Sequence, residues 1–423
     1  MSDTQGTPET DDAEAKPRLR PVDAFPVENE GARMIAVRDS QGISPAQILL
    51  SPQAFFLVAQ FDGTHTIRDV QASFVRKFGE LLPAERIREV VDRLEEALLL
   101  EGPKFEAHLE GQKAAFKRLE VRPPAHAGAS YEAQKEALGR RLDGLFEAPG
   151  GPGTLRAGRR PEPLRAMIAP HIDLARGSGA YAAAWREAAE GPAPDAVVIL
   201  GTAHAGHHEG LYVGTRKRFE TPLGTSPVDG GILDALEKAA GPGLYEEEYL
   251  HAGEHSVEFQ VLFLQRFLGM EVPVVPLLVC SFHEFVVSGR EPSEDERVGR
   301  VVEALRQSAG PSGRRVLLLA SADLAHVGPR FGDSQSAEPF VLAGLERQDM
   351  ELMKRASAVD AGGFFEKIAR AGDRTRVCGF PGIYTMLRVL EGEPLRGVLR
   401  KYGNTVDPGG SAVTFAGMTF EPA

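Results

Sequence analysis

Four short apolar runs, at 166–169, 196–200, 272–279 and 316–320, constrain this chain more than any other feature. None of them alternates polar with apolar residues, so each suits a strand covered on both faces. Residues 178–190, between the first two, carry a helical pattern. Strand–helix–strand alternation implies a largely parallel sheet with helices on both sides. Residues 398–420, VLRKYGNTVDPGGSAVTFAGMTF, read as two strands around an Asp407-Pro408-Gly409-Gly410 turn, which makes the sheet mixed. The expected fold class is α/β: a three-layer α/β/α domain with a mixed, largely parallel sheet, preceded by a small winged-helix-like domain.

The rest of the chain supports that division. Its 423 residues suit two domains. Residues 1–25 hold little to bury and read as a disordered tail. Residues 26–105 read as a small helical module. Ser51-Pro52 starts a helix that Asp62-Gly63 ends, Thr66 opens a second with Val70, Phe74 and Val75 on one face, and Gly79 closes it. Pro83 opens a third, with Ile87, Val90, Val91, Leu94 and Leu98 at helical spacing, and 47–50 has strand character. Residues 106–118 read as a charged connector and 119–423 as the large domain. The loop at 148–163 falls inside that domain.

Charge removes one class of partner. Lys and Arg number 48 against 60 Asp and Glu, a formal net charge of −12. A nucleic-acid backbone would repel such a chain unless a basic patch intervened. The third helix of the module carries Arg86, Arg88 and Arg93 against Glu85, Glu89, Asp92, Glu95 and Glu96, so it offers none. No nucleic acid is expected. No apolar run reaches the length of a membrane span, the N-terminus lacks a secretory pattern, and there are only two cysteines. These features predict a cytoplasmic protein with no membrane partner.

Chemistry concentrates where the apolar runs end. The first is followed by Pro170-His171-Ile172-Asp173, the second by Gly201-Thr202-Ala203-His204, and the fourth by Ser321-Ala322-Asp323-Leu324-Ala325-His326. The carboxyl ends of neighbouring strands in an α/β sheet line a shared crevice. Eight of the 11 histidines lie between 171 and 326. His251 to Gln260 reads as the opening of a helix on which Glu254 and Glu258, and His251 and His255, pair at i, i+4. Cys378 precedes a helix over 383–390, whose N-terminus would stabilise a thiolate. Two imidazoles and a thiolate suit a divalent metal, and three protein ligands leave positions open for water, oxygen or substrate. Each residue also has a plainer reading: a hydrogen-bonded loop histidine, a small buried cysteine, a polar Asp323–His326 pair that shapes its loop. Arg176 could meet an anionic substrate or form a surface ion pair. Cys280 ends an apolar run and reads as core, and His207, His208 and His283 read as exposed loop residues.

Seven segments carry a family resemblance. They are RPPAHAGASY (122–131), APHIDLARGSGAY (169–181), ILGTAHAG (199–206), FETPLGTSPVD (219–229), EHSVEFQ (254–260), SADLAHVG (321–328) and RVCGFPGI (376–383). In this order and spacing the chain resembles the Memo-like family, the B component of the AmmeMemoRadiSam system. That family is similar in fold and site plan to class III extradiol dioxygenases. The resemblance implies His171, His204 and Cys378 as metal ligands, Asp323 and His326 as acid/base groups or supports of those ligands, and Glu254 and His255 as residues of the cleft; His326, Asp323 and His255 are the catalytic candidates. Glu254, Asp173 and Arg176 would line the substrate pocket. It implies Fe(II) as the metal, with Cu or Zn as alternatives, and metal-dependent redox chemistry. It also implies a radical-SAM enzyme and the system's A component as partners. The dioxygenases have a carboxylate in place of the cysteine, so the reaction need not be theirs, and 172–176 departs from the usual family stretch. LSPQAFFLVAQFDGTHTIRDV (50–70), with FVRKFG and VVDRLEEALLLEG after it, resembles PqqD-like modules, which implies a peptide ligand for the first domain. A peptide-binding protein without catalysis and a zinc-dependent hydrolase are the rival readings.

Overall fold

The computed structural model describes residues 14–40, 42–148, 150–156, 158–205, 210–310 and 314–423. The chain divides into two compact units, Met1–Arg118 and Leu119–Ala423.

The first unit opens with an antiparallel sheet of β1 (Val22–Asn29), β2 (Ala32–Asp39) and β3 (Gln47–Leu50), in that order. Four helices follow: α1 (Pro52–Val58), α2 (Ile67–Phe78), α3 (Ala84–Glu96) and α4 (Pro103–Lys117). Local chemistry starts and stops them. Ser51 Oγ accepts the Ala54 N–H at 3.1 Å. Thr66 and Asp69 form a reciprocal capping box, and Gly79 ends α2 at a φ of +73°. Leu57, Val58, Val70, Phe74, Ile87 and Leu94 form the core of this unit.

Several expectations for this region need correction. Helix α1 stops at Val58, short of Asp62-Gly63, and Leu98 lies beyond α3 with a φ of +56°. Val75 is exposed rather than on the buried face of α2. The span 106–118, read as a charged connector, is helical, since α4 runs through it to Lys117. Residues 14–25 are not a disordered tail. Arg18 and Leu19 bridge to Asp62 and Leu100, and β1 starts at Val22. The physical reason is a buried ion pair. Arg20 donates to Asp39 at 3.1 and 3.3 Å and to Leu98 O at 2.8 Å. Composition does not register order that comes from paired polar groups. Residues 1–13 of that expected tail lie outside the described residues.

The second unit begins with β4 (Val121–Arg122), α5 (Lys135–Glu147), β5 (Ala166–Ala169), α6 (Ser178–Ala189) and β6 (Ala196–Thr202). Next come β7 (Tyr212–Gly214), β8 (Arg218–Thr221), β9 (Gly224–Ser226), α7 (Gly230–Ala240), α8 (Leu250–Gly253) and α9 (His255–Phe267). They are followed by β10 (Val274–Val279), α10 (His283–Ser288), α11 (Glu296–Ala309), β11 (Val316–Ser321) and β12 (Asp323–Val327). The unit ends with α12 (Pro339–Ser357), α13 (Ala361–Ala371), α14 (Phe380–Leu390), β13 (Leu395–Val406) and β14 (Ala412–Pro422).

The main sheet runs β12-β14-β5-β11-β6-β10-β7, with β13 paired to β14. Its centre, β5-β11-β6-β10, is parallel, and the strands added at both edges are antiparallel. Alternate residues of one strand serve opposite cores. Val198 and Leu200 of β6 pack with α7, α11, α13 and α14, whereas Val197 and Ile199 pack with α5, α6 and α9. Every residue of β5, β10 and β11 is buried, the pattern of strands covered on both faces. This is the expected mixed sheet between two helical layers. Register sets the strand ends level: Ser321 lies opposite Ala169, Ala320 opposite Leu200, and Val279 opposite Thr202. The residues that follow β5, β6 and β11 therefore leave the sheet at one edge. Among the described residues, no helix is long and apolar enough to cross a membrane.

Candidate metal centre

His171 leaves β5 after Pro170, His204 leaves β6 after Ala203, and Cys378 arrives from the turn before α14. Their donor atoms lie within 4.8 Å of one another, and Cys378 Sγ is 3.4 Å from His171 Nε2. The two imidazole rings are edge to face, with centroids 4.8 Å apart. Hydrogen bonds tie the strand ends that carry them. Gln260 Nε2 donates to Pro170 O at 2.7 Å and to Ser321 Oγ at 2.9 Å, and the Trp185 indole N–H donates to Gln260 Oε1 at 3.0 Å. Ser321 Oγ donates to Ser256 O at 2.6 Å, and Ser256 Oγ to Thr202 O at 3.0 Å.

Each imidazole is oriented through Nδ1. His171 Nδ1 faces Ser321 O at 2.9 Å. His204 Nδ1 faces both oxygens of Glu254 at 3.1 Å. An Nδ1–H engaged in this way is the arrangement that metal-ligating histidines adopt. It leaves a free electron pair on Nε2 of His171, whereas on His204, which is charged in the absence of an ion, a cation would have to displace the Nε2 proton. Glu254 is the N-cap of α9; it also accepts the His204 and Ser256 N–H groups at 3.0 and 2.9 Å and lies 3.2 Å from His255 Nδ1. His204, Glu254 and His255 thus form a second convergent group that shares His204 with the first.

Charge in the metal-free centre is localised. Burial, then His204, pushes His171 down to about 3. Burial also brings His255 down to about 3 against the pull of Glu254. Burial opposes charge on His204 too, but Glu254 and Cys378 outweigh it and raise its pKa well above the ordinary value. The His204 side chain keeps 35% of its surface exposed, which favours the partner over burial as the governing effect. Glu254 is held well below the carboxylate range, because His204 outweighs burial. Burial pushes the Cys378 thiol up, which favours its protonated form in the absence of an ion. A cation would have to displace that proton. Helix α14 starts at Phe380, two residues after Cys378, rather than at 383.

Asp323 stands beside the centre. Oδ2 is 3.6 Å from His171 Nε2, Oδ1 accepts the His171 N–H at 3.1 Å, and burial pushes the carboxyl up to about 6. His326 is close enough to His171 to perturb it, and burial, with His204 adding to it, lowers its own pKa. Its Nδ1 faces Leu324 O at 3.0 Å and Arg376 O at 3.2 Å, so backbone carbonyls fix its tautomer. The His255 ring stacks on His204 at 4.8 Å and lies 5.4 Å from His171. Asp173 and Arg176 pair with each other in an exposed turn, and Asp173 also accepts the Ala175 and Arg176 N–H groups at 3.1 and 3.0 Å. Their expected role as pocket lining has a local alternative in that turn.

Other readings change. The α8–α9 junction breaks at Glu254, so His251 and His255 do not share a helix, and His251 turns its Nε2 to Val213 O at 3.1 Å. Cys280 is buried, with its thiol pushed up to about 12. His283 is the exposed first residue of α10, while His207 and His208 lie outside the described residues. Sequence reading passed over the support around Glu258. This fully buried carboxylate takes Arg122 and the Tyr131 hydroxyl, and the Ala125 and His126 N–H groups at 3.1 and 3.0 Å. The clamp brings the His126 ring within 5.8 Å of His255. Arg122, His126 and Tyr131 all sit in the segment RPPAHAGASY, the signal that could have found them.

Comparison with known proteins gives the family. The family model "Memo-like protein" matches residues 122–419, which contain every residue of the centre. A MEMO1 family protein of Aquifex aeolicus is 30% identical over 407 residues, covering 96% of this chain and all of that protein. A MEMO1 family protein of Thermus thermophilus is 32% identical over 292 residues, 69% of this chain and 80% of its own length. A crystal structure of an uncharacterized protein from Escherichia coli K12 aligns over 60% of this chain and 98% of its own, at a TM-score of 0.31 and 14% identity, and carries no argument. With a family match over residues 122–419 and a relative 30% identical over its full length, the chain belongs to the Memo-like family.

Proposed function

We propose that this protein is a mononuclear metal-dependent oxidoreductase whose ion is held by His171, His204 and Cys378. The observation that carries the reading is the pair of oriented imidazoles. Both Nδ1 atoms face acceptors, and a cysteine sulfur lies 3.4 Å from the Nε2 of His171. Two nitrogens and one sulfur fit iron, copper or zinc, and Fe(II) is the first choice by family resemblance. A bound iron or copper ion would supply one-electron redox chemistry and open coordination positions. The chain's own groups would handle protons. Asp323, with its carboxyl raised to about 6, can hold or release one at Oδ2 near neutral pH. His326 keeps Nδ1 on backbone carbonyls, which leaves Nε2 to accept one. Glu254 holds the His204 ring, and His255 packs against both ligands. A radical-SAM enzyme and the A component as partners, and a peptide ligand for the first unit, are proposed from resemblance alone.

Metal analysis of untagged protein tests the reading. Iron or copper near one per chain is expected, lost in His171→Ala, His204→Ala and Cys378→Ser, together with oxygen consumption by the loaded protein when a reductant is present. Zinc at that ratio would favour the hydrolase, and no metal in the wild type, or full retention in the three variants, would overturn the assignment.

A further inference from the structure

Cys378 reaches the centre on a turn, residues 373–379, that is laced to β12. The His326 N–H donates to Thr375 O at 2.6 Å, and the Gly379 N–H to Asp323 O at 3.1 Å. His326 Nδ1 faces Arg376 O at 3.2 Å. The Arg376 guanidinium donates back to His326 O at 3.2 Å and to the two oxygens of Asp333 at 3.1 and 2.7 Å. Asp333 in turn accepts the Gly328 N–H at 2.8 Å, which fixes it to the end of β12. The turn is strained: Asp373 and Arg376 have φ of +45° and +51°, a region that L side chains disfavour. The strain is held in place by side chains, because Asp373 Oδ1 accepts the Val377 N–H at 2.9 Å and Arg376 grips Asp333.

Stability alone does not explain the grip. The Arg376 and Asp333 side chains are 42% and 34% exposed, and ion pairs this open add little to folding. What the pair does fix is direction. With Arg376 held in the left-handed region, its carbonyl points at His326 Nδ1, and the chain two residues on delivers Cys378 Sγ to His171. We propose that Arg376, clasped by Asp333, is a positioning residue that sets both the reach of Cys378 toward the imidazoles and the nitrogen that His326 presents to the centre. The part concerning a bound ion rests on the metal reading above, whereas the placement of the thiol does not.

The test uses the full chain carrying Asp333→Asn or Arg376→Lys, with melting temperature followed throughout. In metal-free protein, the rate of Cys378 modification by an aromatic disulfide reagent reads the placement of the sulfur, against the slow background of buried Cys280. Cobalt(II) then serves as the probe ion, read by its thiolate charge-transfer absorption. Expected is severalfold faster thiol modification in both variants, with cobalt affinity lower by about tenfold or more, a weaker charge-transfer band and a melting temperature close to wild type. Arg376→Lys should fall between wild type and Asp333→Asn, because an ammonium keeps the charge without the two-pronged grip. Wild-type thiol rates and cobalt spectra in both variants would overturn the clasp. If wild-type protein binds no cobalt, the metal reading fails, and the thiol rates alone decide: raised rates uphold the clasp and unchanged rates refute it.

Discussion

Glu254 accepts from the His204 ring and from two backbone N–H groups and lies 3.2 Å from His255 Nδ1. Glu254→Gln keeps the shape and removes the charge. Metal affinity should fall about 10–100-fold, as for other residues that orient a ligating histidine, with Cys378 still in place; a competition titration against a chelator measures it. His251 offers a cleaner pH signature, because it lies outside the centre. Burial lowers it to about 4, whereas an unfolded histidine titrates near 6.5. Its share of stability is therefore present above pH 6.5 and lost as pH falls from there toward 4, at up to about 1.4 kcal/mol per pH unit. Urea denaturation of metal-free protein across that range should show this slope reduced in His251→Phe, and an unchanged slope would refute the assignment. The sequence made His171, His204 and Cys378 legible because the first two follow apolar runs and all three sit in family segments. It did not disclose what each touches. The acceptors that orient His171 and His326 are backbone carbonyls, which have no letter in a sequence.

The helix that follows Cys378 can dock only because residue 379 lacks a side chain. A Cβ there would stand 2.4 Å from Ala322 Cβ and 2.5 Å from Asp323 O, at the corner between β11 and β12. Gly379→Ala should force that corner apart, cost about 1–3 kcal/mol by overpacking and release metal. Denaturation and metal analysis of the same sample check both effects, and full metal retention at wild-type stability would contradict the account. The element pattern explains which segments could be read in advance. The runs at 166–169, 196–200, 272–279 and 316–320 became β5, β6, β10 and β11, because buried central strands need unbroken apolar sequence. Strand β12 was missed since Asp323 and His326, residues of the candidate centre, occupy it and break the pattern. Strands β4, β7, β8 and β9 are two to four residues long, too short for periodicity to register. Strand β1 was hidden by Pro26 and by alternation with charged residues at a sheet edge.

Every residue of the centre belongs to the second unit, and the Memo-like match begins only at Arg122. A chain reduced to residues 119–423 should therefore fold and keep the wild-type ratio of metal to protein, checked by circular dichroism and metal analysis. Loss of metal from a folded fragment would show that the first unit takes part in the centre. The change of pattern between the two units could be read in the sequence, whereas the ordered lead-in at 14–25 could not, because it depends on the Arg20–Asp39 pair. The sheet adds an ordering in time. Strand β14 is inserted between β5, which leads into His171, and β12, which carries His326, yet it follows every other strand along the chain. During translation the edge of β5 stays open until that segment emerges from the ribosome. The flank of the sheet that leads into His171 is therefore the last to be covered, after all three candidate ligands have been made.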